Sequence, residues 1–178
     1  MTVIYTSENV HLEKNKKNEY KMKILWEGPT KSFWVNFPTQ KLKIVKQKSD
    51  DTYKIFTINA DDILTLKDFL KKTEIDYNIA IYFLQDIGLQ MTTLENFNMS
   101  VPFFNIDDFI VSKIDDKIFF FYVNDNKVIS FDDNNLMDID KIPDKSKFLS
   151  PEFKNITTIP NKVHYKSYMY SLAMLIIY

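Results

Sequence analysis

The chain is predicted to be an α+β protein in which a β-rich part over residues 1–59, with an N-terminal arm, runs on into a mainly helical part over residues 60–178. Two observations predict it. Short apolar and aromatic runs (KMKILWEG, SFWVNF, LKIVKQ, TYKIFTI) broken by GPT, PTQ and KSDD fill the first third, and this is how antiparallel strands joined by tight turns are written. After Asn59 the apolar spacing changes from two to three and four, which is the helical period.

Residues 7–20 (SENVHLEKNKKNEY) are polar with no clean apolar period, so a loop, a frayed helix or a poorly ordered arm is expected there. Leu42, Ile44 and Val45, then Tyr53, Ile55, Phe56 and Ile58, suit strands. Asp61 and Asp62 precede Leu66, Phe69 and Leu70, which share a helical face; acidic residues favour a helix start. Ile79, Phe83, Ile87, Met91 and Leu94 make one apolar stripe and mark the strongest helix of the chain, with Gly88 the weak helix former inside it. Two strand-like runs follow, Asp108–Ile114 and Lys117–Val123, and the Asp115-Asp116 pair suits a hairpin turn. Residues 131–147 read as an acidic loop, SPEF as a short helical stretch, IPNK as a break, and the end from about Val163 as a last helix.

Composition narrows the function. Apolar residues make 45% of the chain, too many for disorder, and the net charge of -1 supplies no field for nucleic acid or an anionic membrane. All 23 basic residues are Lys, so no guanidinium fork exists for bidentate phosphate recognition. The richness in Lys, Asn, Ile and Tyr fits an AT-rich genome such as that of a large DNA virus or a parasite. With no Cys there is neither a disulfide nor a thiol nucleophile, and the last apolar run is too short to cross a membrane. A cytoplasmic protein is expected, in the host cytoplasm if viral.

The segment KFLSPEF, with Ser150, Pro151 and Glu152, resembles the Ala-Pro-Glu motif of the protein kinases, and YKSYMYSLAMLIIY after it, with Tyr170, Ser171 and Leu172, is similar to the start of the kinase F helix. The order of elements over residues 40–178 looks like the same family: a small antiparallel lobe followed by a mainly helical, truncated large lobe in one continuous domain. The resemblance implies positions for phosphoryl transfer, and they are degenerate. The catalytic-loop triplet falls on Val101, Pro102 and Phe103, its Lys on Asn105 and its metal-holding Asn on Asp108. Asn124, Asp125 and Asn126 fall on Asp-Phe-Gly, so a chelating carboxylate is regained only if the register slips to Asp125. No Gly-rich loop exists, and Lys43, Lys46, Lys48 and Lys54 compete for the phosphate-positioning Lys. At the F helix, Tyr168 and Ala173 replace the family's Asp and Gly.

The resemblance therefore implies a catalytically inactive, pseudokinase-like protein that acts by protein binding, without a cofactor. Two alternatives stay open: a divergent Ser/Thr kinase using Mg-ATP with Asp108 and Asp125 on the metal, or a structural or interaction protein of an AT-rich virus or parasite. His11 and His164 read as ordinary histidines, and the Asp pairs 61/62, 107/108, 115/116 and 132/133 as turn and cap residues. The end of the chain, with Tyr168, Leu172, Leu175 and Ile176 on one helical side, is expected to bind a protein partner or a second copy through residues 165–178. Neither nucleic acid nor a membrane is expected as a partner.

Overall fold

Alternating buried and polar positions in two neighbouring strands mark the first sheet of the computed structural model, which describes residues 1–143 and 146–177. Its strands are β1 (Thr2–Thr6), β2 (Val10–Lys16), β3 (Glu19–Leu25), β4 (Ile44–Ser49) and β5 (Tyr53–Asn59). They pair antiparallel in the order β1-β2-β3-β5-β4. Val10 and Leu12 of β2 and Tyr20, Met22 and Ile24 of β3 are buried, with polar residues between them, as a sheet covered on one face requires. Residues 7–20 are thus mostly strand, correcting the expected loop or arm. Two apolar side chains in a polar frame suffice once the neighbouring strand supplies the rest of the face.

Residues 32–35 of SFWVNF are helix, not strand. Within α1 (Gly28–Val35) Pro29 sits in the first turn, where its fixed φ and missing N–H cost nothing. The helix directs Phe33 and Trp34 inward beside Phe37, with Trp34 and Phe37 ring centroids 4.5 Å apart.

Beyond Asn59 come β6 (Asp62–Thr65), α2 (Leu66–Leu70) and α3 (Tyr77–Glu95), then β7 (Met99–Ser100), β8 (Phe109–Ile114), β9 (Lys117–Tyr122), β10 (Ile129–Ser130) and β11 (Leu136–Ile139). The chain continues through α4 (Pro151–Lys154), β12 (Asn161–His164) and α5 (Tyr168–Ile177). Thr65 caps α2 by accepting from the Asp68 N–H at 3.1 Å. β6, β8 and β9 form a three-stranded antiparallel sheet, and Asp115 and Asp116 both take positive φ (49° and 61°) in the two-residue turn that joins β8 to β9. Positive φ at both central residues matches the right-handed twist of the flanking strands.

The chain divides into two units, Met1–Gln90 with Asp107–Asn126, and Met91–Ile106 with Lys127–Tyr178, the first cut falling inside α3. In the first unit Phe83 of α3 meets Phe109 and Phe120 edge-on, at centroid distances of 5.4 and 5.2 Å. The second unit has two ribbons, β7 with β10 and β11 with β12, and a core of Met137, Ile139, Leu149, Phe153, Ile156 and Val163.

A kinase-like small lobe followed by a mainly helical large lobe is therefore corrected. Strand and helix contribute nearly equal shares, 35% and 32%, the described strands pair antiparallel, and no kinase-like two-lobe architecture is shown among the described residues. Residues 60–178 hold seven of the described strands, and the helices α2 and α4 run to only five and four residues. Two physical reasons account for this. Met137 and Ile139 alternate with exposed or half-buried neighbours, a strand period, and Pro151 and Pro160 stand where a longer helix would have to run.

Candidate functional site

The residues singled out in the sequence fall in both units. Within the second, Phe103 packs edge-on against Phe153 (centroids 5.6 Å apart), with the Lys127 ammonium 4.7 Å from the Phe103 ring. The Asn105 side chain lies 2.9 Å from the Ser146 hydroxyl. Ser150 is buried at the N-terminal end of α4, Pro151 occupies its first turn and Glu152 is exposed beside it. Ser171 is buried and donates to the Phe148 carbonyl at 2.7 Å, whereas Tyr170 faces outward.

α5 turns Tyr168, Leu172 and Leu175 into the second unit, and the Tyr168 hydroxyl donates to Glu95 at 2.8 Å. Of the side expected to seek a partner, Tyr168, Leu172 and Leu175 are buried and Ile176 is half-buried, while Met169, Tyr170 and Ile177 face outward. Tyr178 lies outside the described residues.

Within the first unit the structure brings Asp108, Asn124 and Asp125 together. Asp108, 3% exposed, accepts from the Asn124 amide at 2.7 Å, and Asp125, 5% exposed, accepts from the Trp34 indole N–H at 3.0 Å. The Asp108 carbonyl takes the Val123 N–H at 2.9 Å. Two tyrosines line the same place. Burial first, and then the Asp108 charge, push the Tyr5 phenol up to about 12 and raise Tyr122 well above its ordinary value. Phenols held protonated this firmly are hydrogen-bond donors near neutral pH, not bases.

Both carboxylates thus commit an oxygen to a protein N–H. Among the described residues no group of three His, Cys, Asp or Glu side chains converges on a metal position.

The lysines considered for phosphate are placed elsewhere. Lys43 reaches Asp115 at 3.3 Å, Lys54 lies 3.4 Å over the Trp26 ring, and Lys46 and Lys48 are exposed on the edge strand β4. Lysines on an edge discourage pairing with another sheet. His11 lies 3.6 Å from Glu13, and His164 accepts from the Lys166 N–H at 3.2 Å.

Two features were missed in the sequence. One is a clamp made by α3 on the free edge of β9: Asp86 accepts from the Phe120 N–H at 2.8 Å, while Gln90 donates to the Phe120 carbonyl and accepts from the Tyr122 N–H, both at 3.1 Å. Lys41 pairs with the other Asp86 oxygen. A polar pair four residues apart at the border of an apolar stripe was the available signal. The other is the outward face of α3. Tyr82 and Leu89 are 50% and 49% exposed, Tyr77 and Leu84 are exposed as well, and the helix carries no Lys over its 19 residues. Tyr82 and Gln85 also border a cleft of about 430 Å³ with Lys41, Lys117 and Phe119.

Comparison with models of known families and with curated proteins finds no match for this chain. No helix among the described residues is long and apolar enough to cross a membrane.

Proposed function

We propose that the protein acts by binding another protein and transfers no phosphate. The observation that carries this reading is the use of Asp108 and Asp125 as struts, one holding Asn124 and the other Trp34. Phe103, at the position the resemblance assigns to a proton acceptor, is a ring packed on Phe153 and supports the same reading. The uncharged outward face of α3 is the candidate contact surface and suits an apolar partner surface; the outward side chains of α5, Met169, Tyr170 and Ile177, offer a second. The absence of Cys and the net charge of -1 support a cytoplasmic setting without nucleic acid.

The rival reading is Mg-ATP-dependent phosphotransfer through Asp108 and Asp125, favoured only by their closeness to the same two tyrosines. Incubation of the purified chain with labelled ATP and Mg²⁺ decides between them. No incorporation into the chain or a generic acceptor is expected, and no Mg-ATP-dependent rise in melting temperature. Transfer that disappears in both Asp108→Asn and Asp125→Asn would overturn the proposal.

A further inference from the structure

β4 ends the five-stranded sheet, with β5 on one side and no strand on the other among the described residues. Residues 45–49 are all exposed, so that edge is open to solvent. The unpaired N–H and C=O groups of a sheet edge are a template for one more strand.

Charge along this edge is of one sign. Residues 41–49 (KLKIVKQKS) hold four Lys and no Asp or Glu. The first acid after them, Asp50, accepts from the Thr52 and Tyr53 N–H groups at 2.9 and 2.6 Å in the turn to β5. Lys41 pairs with Asp86 and Lys43 with Asp115, whereas neither Lys46 nor Lys48 pairs with a carboxylate among the described residues. Lys46 sits opposite Thr57 and Lys48 opposite Ile55, which alternate with the buried Phe56 and Ile58, so both lysines stand on the outward face of the sheet. On that face the lysines of β3 are engaged, Lys21 with Glu13 at 3.9 Å and Lys23 at 3.6 Å from the centre of the Tyr53 ring.

We infer that the open edge of β4 takes an acidic, extended segment of a protein partner as a sixth strand. A strand paired there sets carboxylates two residues apart, about 6.8 Å along the chain, opposite Lys46 and Lys48, with Cβ atoms about 4.5–5.5 Å apart. The register shift between Ile44 and Lys46 ends the regular edge, so the contact covers residues 46–49 and is weak and sensitive to salt. An uncharged strand would leave both lysines unpaired and a basic one would be repelled, so the residues that keep other sheets away also choose this partner. This rests on the binding reading above and deepens it by naming a segment that the partner must carry.

The probe is a fluorescein-labelled octapeptide in which Glu alternates with Thr, followed by fluorescence anisotropy at low ionic strength. It should bind with a Kd between about 10 µM and about 1 mM, and replacing its Glu by Gln should weaken binding at least about 10-fold. Lys46→Gln combined with Lys48→Gln, at exposed positions that should leave folding intact, should do the same. N-methylation throughout the peptide backbone keeps the charges and removes the donors, so it should abolish binding, which charge attraction alone would survive. No binding of the Glu peptide at about 1 mM, equal binding of the Gln peptide, or indifference to the double Lys variant or to N-methylation overturns the inference. So does tighter binding of oligothymidylate, which would make this a nucleic-acid surface. Phosphate transfer by a chain that takes the peptide would overturn the functional reading alone, and an inactive chain that ignores the peptide would overturn this inference alone.

Discussion

The Trp34 indole donates to Asp125 across 3.0 Å, so α1 is tied to the turn after β9 by residues 91 positions apart. Both side chains are buried. Trp34→Phe keeps an aromatic ring against Phe33 and Phe37 but removes the donor to a charged acceptor. A loss of about 2–4 kcal/mol is expected from the hydrogen bond and the smaller ring together. Urea unfolding followed by Trp26 fluorescence measures it, and a double-mutant cycle with Asp125→Asn should give a coupling of at least about 1 kcal/mol.

Gln90→Leu keeps the apolar stem and removes both ends of the amide from β9. The Phe120 carbonyl and Tyr122 N–H would be left buried without that partner, at about 2–4 kcal/mol for the pair. Amide hydrogen exchange should accelerate first at Tyr122. Unchanged protection there would mean that the clamp does not hold the edge.

Tyrosine titration should be split. Burial raises Tyr5, Tyr20 and Tyr122, and burial followed by Glu95 raises Tyr168, out of 10 tyrosines in the chain. Since the folded pKa of Tyr5 lies above its unfolded value of 10.0, the fold favours the protonated phenol. That stability is complete below pH 10 and is lost as pH rises toward about 12. Tyrosinate absorbance should therefore rise in two phases, the later one coinciding with loss of near-ultraviolet circular dichroism. A single phase near pH 10 with the fold intact would contradict the buried phenols.

Gly88→Ala should raise the stability of the protein by up to about 1 kcal/mol, because Ala is the better helix former and nothing beyond its own helix backbone and chain neighbours lies within 4 Å of the added methyl. A thermal melt of the variant should shift upward, and an unchanged or lowered midpoint would mean that the added methyl is not accommodated.

Legibility in the sequence followed the distance over which information acts. The stripe from Ile79 to Leu94 marked α3, and the Asp115-Asp116 pair marked the β8–β9 turn, because both patterns are local. The β2 strand was hidden, since Val10 and Leu12 show an apolar face only once Met22 and Ile24 lie beside them. α1 was hidden because an aromatic cluster reads equally as strand, and only its contacts decide. The candidate site failed in the same way: Asp108 and Asp125 were legible as carboxylates, but their use depends on Asn124 and on Trp34 far along the chain.

The clamp on β9 also works as a gauge. Asp86 and Gln90 stand one helical turn apart, about 6 Å along the axis, and the peptide groups they read, at Phe120 and Tyr122, are about 6.8 Å apart along an ideal strand. The two spacings nearly coincide, so both side chains can engage together only when Phe120 and Tyr122 present their amides to α3. A shift of β9 by one residue would turn those amides away and exchange the buried faces on which Phe120 and Phe121 lie. A helix that does not belong to the sheet thus selects which of two strand alignments survives, and the short hairpin need not encode that choice in its turn alone.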